Sequence, residues 1–151
     1  MLHDDTERAI LTLINRLSLR YQLKKKKSPL KARKRLISGL NEVIRASKSK
    51  LDGHRPRLVV IAVDVQVNPL ECGTDDTMHK LICALNGNQI PYYFACTRTE
   101  LGVSLYGKVM YGNKVKCACV AIVDYQGSEV EMTALTAMMH DSRSKFNTLT
   151  N

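Results

Sequence analysis

Gly39-Leu40-Asn41-Glu42-Val43-Ile44-Arg45 follows directly on the basic run Lys31-Ala32-Arg33-Lys34-Arg35, and the reading of this stretch decides the rest. At helical spacing Asn41, Glu42 and Arg45 share one side, while Leu36, Leu40, Val43 and Ile44 fall on the opposite one. Three hydrogen-bonding chemistries therefore look outward together. A carboxylate accepts from base amino and imino groups, a guanidinium donates two parallel bonds to O6 and N7 of guanine, and an amide does either. The same residues admit a plainer interpretation: Glu42 and Arg45 are three apart, the spacing of an ordinary surface ion pair, and Gly39 could mark a loose first turn.

Charge separates the two. The chain has 151 residues and a net charge of +9, from 23 Lys and Arg against 14 Asp and Glu. Between Arg20 and Lys50 there are twelve Lys or Arg and a single acid, Glu42. Such an imbalance points to a polyanionic partner, nucleic acid first. Lys24-Lys25-Lys26-Lys27 would by itself fit a solvated run or a localisation signal. Its position argues for more, because it feeds the segment whose outward side carries the polar trio. A membrane is a poorer partner: the longest apolar run, Leu58 to Val63, cannot span a bilayer, and the acidic start Met1-Leu2-His3-Asp4-Asp5 does not resemble a signal peptide. The expectation is a cytoplasmic protein, with access to the nucleus, and no membrane contact.

A hydrophobic content of 44% over this length supports one proper core. Cys72, Cys83, Cys96, Cys117 and Cys119 are odd in number and sit in apolar segments, as reduced thiols packed as small hydrophobes do. Cys72, His79 and Cys83 lack a fourth metal ligand, and no cofactor is implied. Asp64 ends an apolar run, where an open α/β enzyme keeps a carboxylate, yet no base, nucleophile or glycine-rich phosphate loop accompanies it. The chain is expected not to be an enzyme.

Helices and strands are expected to alternate. Ala9, Ile10, Leu13, Ile14 and Leu17 predict an amphipathic helix from Asp4 to about Arg20 with a basic linker, Tyr21 to Pro29, behind it. Lys31 to Ser47 reads as a second helix, broken near Gly39. Arg57 to Val63 is a β-branched strand covered on both faces. A helix from Gly73 to Gly87, a short strand from Tyr92 to Cys96 and a capping box, Thr97 with Glu100, opening a helix through Leu105 come next. Val115 to Val123 is a strand, and Ser128 to about Lys145 a last helix with Val130, Leu135, Met138 and Met139 inward. Helices alternating with buried strands imply a sheet between helical layers.

Four segments in this order, Gly39 to Arg45, Leu58 to Val65, Asn88-Gln89-Ile90-Pro91-Tyr92 and Leu101-Gly102, resemble successive signatures of the kink-turn RNA-binding ribosomal protein family, the L-seven-Ae and L-thirty-e type. Within it, Lys31 to Leu40 and Gly73-Thr74-Asp75-Asp76-Thr77-Met78-His79 are similar to the branch that binds selenocysteine insertion sequence (SECIS) elements. The resemblance implies a three-layer α/β/α sandwich with a mixed four-stranded sheet, residues 31–151, preceded by an N-terminal helix and basic linker, residues 1–30.

It further implies an RNA partner, a sharply bent internal loop with tandem sheared G·A pairs. On this expectation Gly39 admits the RNA backbone, and Asn41, Glu42 and Arg45 read the base edges. Gln66 and the loop residues Lys108, Val109, Met110 and Tyr111 would meet the extruded nucleotide, while Lys31, Arg33, Lys34 and Arg35 would hold phosphates. The SECIS-like hairpin of a selenoprotein messenger leads the candidates, with the ribosome and a selenocysteine-specific elongation factor as further partners. The alternative is a structural subunit of a ribosomal, small nucleolar or ribonuclease P particle, for which Asn41 is the typical residue.

Overall fold

The computed structural model describes residues 5–28, 35–49, 55–64, 74–106 and 116–150. Among the described residues nine elements follow one another: α1 (Asp5–Lys27), β1 (Leu36–Ser38), α2 (Leu40–Ser47), β2 (Leu58–Ile61), α3 (Thr74–Gly87), β3 (Tyr92–Phe94), α4 (Arg98–Tyr106), β4 (Cys119–Ile122) and α5 (Glu129–Thr150). The strands form one mixed sheet in the order β1-β4-β2-β3. β2 runs parallel to β3 and antiparallel to β4, which also pairs antiparallel with β1.

The period of two along each strand divides the core. Leu58, Val60, Val120 and Ile122 face one way and join Ile10, Leu13, Ile14 and Leu17 of α1, Leu101 of α4, and Met132, Leu135 and Met139 of α5. Val59, Ile61, Cys119 and Ala121 face the other way and join Val43 of α2 with Leu81 and Leu85 of α3. All eight residues of β2 and β4 are buried, as strands covered on both faces must be. The result is the three-layer α/β/α arrangement with a four-stranded mixed sheet.

Three expectations are corrected. α1 does not stop near Arg20 but continues through the stretch expected as a linker, to Lys27. Lysine is a fair helix former, and four cations in a last turn interact favourably with the helix dipole. Leu36 to Ser38 is a strand rather than the front of a helix; its register, Leu36 opposite Ile122 and Ser38 opposite Val120, comes from a partner more than eighty residues away. In α5 Val130 is 81% exposed, and Met132 takes the inward place beside Leu135 and Met139.

Local signals that were legible appear as hydrogen bonds. Thr97 N donates to Glu100 Oε1 at 2.9 Å and Glu100 N donates to Thr97 Oγ1 at 3.2 Å, the reciprocal capping box at the start of α4. Asp64 Oδ1 accepts from Arg98 N at 2.8 Å, so this carboxylate supports the same helix start. Cys96, Cys117 and Cys119 are buried thiols outside any disulfide and Cys83 is exposed. Desolvation pushes the Cys117 thiol up and that of Cys119 up to about 12. Since the thiolate is the nucleophile, maleimide at neutral pH is expected to label Cys83 and spare Cys96, Cys117 and Cys119, which peptide mapping after a short pulse will check.

Candidate functional site

Gly39 joins β1 to α2 with φ 95° and ψ 144°. Its N–H donates to Cys119 O at 3.1 Å, the last rung of the β1–β4 ladder, and its carbonyl accepts from Val43 N at 3.0 Å, the first bond of α2. One residue thus ends a strand and opens a helix, which requires a backbone conformation that side chains disfavour. A Cβ built there meets nothing within 4 Å. The demand for glycine is therefore conformational, and the space outside it is open. Gly39→Ala is expected to lower stability by about 1–3 kcal/mol through backbone strain alone, seen as a reduced urea midpoint at unchanged slope.

No side chain caps α2 at Gly39. The amides of Leu40, Asn41 and Glu42 precede the first intrahelical bond, so they point out of the helix start with the positive end of its dipole. Asn41, Glu42 and Arg45 are all exposed, within an arc of about 100° on the helix surface. Val43 is fully buried, and Leu40 and Ile44 pack on the same cluster from its rim. The structure brings together Gly39, Asn41, Glu42 and Arg45 at the start of α2.

It also contains the plainer arrangement. Arg45 Nη1 lies 3.4 Å from Glu42 Oε1, with the side chains 78% and 58% exposed respectively. Exposed pairs of this kind contribute roughly 0.3–0.5 kcal/mol, against about 1–3 kcal/mol for a good bidentate base contact. The pair holds the two groups side by side and is readily exchanged for a stronger partner. Arg35, at the entry to β1, donates from Nη1 to Gln126 O and lies on the same side as Glu42 and Arg45, along a shared groove. Lys31, Arg33, Lys34, Gln66, Lys108, Val109, Met110 and Tyr111 lie outside the described residues.

What sequence reasoning missed is that groove, about 780 Å³ in volume, running along the β1 edge between α1 and α2. Ser18, Tyr21 and Lys25 of α1, Leu105 and Tyr106 of α4, and Glu42 and Arg45 of α2 are among its walls. Asn15 Nδ2 donates to Ser104 O at 3.2 Å, and Ser18 Oγ donates to Leu105 O. Side chains of α1 thereby satisfy carbonyls in the last turn of α4, which have no intrahelical partner, and fix one helix to the other. Among the described residues no helix is long and apolar enough to cross a membrane.

The model of the Ribosomal protein L7Ae/L30e/S12e/Gadd45 family matches residues 21–132. Selenocysteine insertion sequence-binding protein 2 of Rattus norvegicus is 28% identical over 153 residues, covering 99% of this chain and 17% of the relative. Selenocysteine insertion sequence-binding protein 2-like of Homo sapiens is 27% identical over 117 residues, covering 77% of this chain and 10% of the relative. The chain thus spans about a sixth or less of these relatives' length. Among solved structures, the Giardia lamblia 15.5kD RNA binding protein superimposes with a TM-score of 0.60 at 15% identity, over 93% of this chain and 92% of that one. This last likeness concerns the fold.

Proposed function

We propose, from the premise that this chain belongs to the ribosomal protein L7Ae/L30e/S12e/Gadd45 family, that it is an RNA-binding module rather than a catalyst, and that it grips a kink-turn through the start of α2. The observation that carries this reading is the junction itself. Gly39 turns the chain without a side chain, three amides and a helix dipole face outward, and Asn41, Glu42 and Arg45 stand exposed on one side. A sheared G·A pair offers base amino groups to a carboxylate and purine N7 acceptors to a guanidinium. The amides meet phosphate, and the cationic charge supplies affinity without sequence preference.

The finer reading is a SECIS-like hairpin in the 3' untranslated region of selenoprotein messengers, held in the cytoplasm for the ribosome and a selenocysteine-specific elongation factor. The relationship to the SECIS-binding proteins over almost the whole chain supports it. A second reading, a structural subunit of a ribosomal, small nucleolar or ribonuclease P particle, is favoured by Asn41, the residue typical of those members. Sequencing of RNA crosslinked to the protein in its own cells decides. Enrichment of selenoprotein messengers is the expected result; enrichment of ribosomal or small nucleolar RNA supports the second reading, and recovery of no structured RNA would overturn both.

A further inference from the structure

We infer that the groove along the β1 edge is a second nucleic-acid subsite, one that takes unpaired nucleotides flanking the bent element. The inference rests on the RNA-binding reading and extends it. Two aromatic side chains line the groove from two helices packed on each other, Tyr21 of α1 and Tyr106 of α4. Tyr106 Oη lies 3.3 Å from Ser38 Oγ, which steadies the phenol against β1, and Lys25 Nζ lies 5.9 Å from the centre of the Tyr21 ring. Aromatic faces with cations beside them are how proteins hold single strands: the bases stack and the charges follow the backbone.

The edge of β1 adds polar groups. Arg35 and Gly39 make their backbone bonds inward to β4, through Val123 N to Arg35 O and Gly39 N to Cys119 O. By the alternation of an antiparallel ladder, the peptide groups of Leu36 and Ser38 then face the other way, into the groove. Stacked bases would find donors and acceptors there at strand spacing. The charged groups lining the groove are Lys25, Arg35, Arg45 and the single carboxylate Glu42, an excess of positive charge. Its volume of about 780 Å³ falls within the roughly 300–1,000 Å³ of sites that enclose small ligands.

The groove is continuous with the outward side of α2. Glu42 and Arg45 belong both to the outward trio of α2 and to the groove wall, so a strand leaving the G·A pairs passes directly into the groove. A protein strand added to the β1 edge is the competing occupant; the cationic lining and the two tyrosines favour nucleotides over it.

The test compares two kink-turn hairpins, one blunt and one with a short unpaired uridine flank, by fluorescence anisotropy with the full chain. The flank is expected to tighten binding about tenfold, the worth of stacking roughly one base. Tyr21→Ala and Tyr106→Ala are expected to abolish that gain while binding the blunt hairpin unchanged, and Tyr21→Phe to retain it. A flank without effect, or a gain that survives both alanine substitutions, would overturn the inference. Scrambling the G·A pairs tests the underlying reading separately. Should scrambled and intact hairpins bind alike, 4-thiouridine in the flank still reports: crosslinks on Tyr21 or Tyr106 uphold the groove as a nucleotide site, and crosslinks elsewhere overturn it.

Discussion

Arg45→Ala and Glu42→Ala are each expected to weaken binding to a hairpin with tandem sheared G·A pairs by about 1–3 kcal/mol, roughly 5- to 150-fold, and to leave a scrambled hairpin almost untouched. The asymmetry follows from what each group does in the free protein. Their mutual ion pair is exposed on both sides and contributes little to stability, so neither substitution disturbs the fold. In the complex the same groups would meet base edges, and removing one of them leaves a donor or acceptor of the RNA unpaired away from water. Specificity is therefore where the loss appears.

Replacing Lys24, Lys25, Lys26 and Lys27 by glutamine is expected to give the opposite pattern. These residues form the exposed last turn of α1. Their removal is expected to weaken all RNAs together and to flatten the dependence of log K on log salt by roughly 0.9 for each phosphate that is no longer neutralised. A titration series at several salt concentrations, on cognate and scrambled RNA, separates the two effects. Equal losses on both RNAs from the α2 substitutions would mean that Glu42 and Arg45 serve only as part of the general field, and the base-reading assignment would fall.

The contrast between what was and was not legible in the sequence follows the range of the interactions involved. Val59-Val60-Ile61 declares a buried strand because β-branched residues in a continuous run need no knowledge of their neighbours. The Thr97 and Glu100 box is likewise complete within four residues. The trio Asn41, Glu42 and Arg45 was legible for the same reason, since one helix places all three. Leu36-Ile37-Ser38 was not: three residues carry too little periodicity, and only pairing with β4 makes them a strand. The role of Asp64 is likewise set by a distant partner, since it accepts from Arg98 N, 34 residues away. The groove was hidden altogether, because Tyr21 and Tyr106 come to line one groove only after α1 docks on α4.

That docking makes α1 a structural layer, and Leu17→Ala measures it. Leu17 has no exposed surface and lies in the cluster that joins α1 to Val60, Leu101 and Leu135. Truncation removes the transfer free energy of the deleted methyl groups and leaves a cavity, which in buried leucines costs about 2–5 kcal/mol. Leu19, two residues on and 50% exposed, provides the internal comparison. Leu19→Ala on the same helix alters propensity by a similar small amount and is expected to change stability by no more than about 0.5 kcal/mol. Urea unfolding followed by circular dichroism will compare the two midpoints at constant slope. A Leu17 variant no less stable than the Leu19 variant would show that α1 is a detachable arm. The wall that carries Tyr21 and Lys25 would then be separable from the sheet, and the groove would have no fixed shape with which to select a ligand.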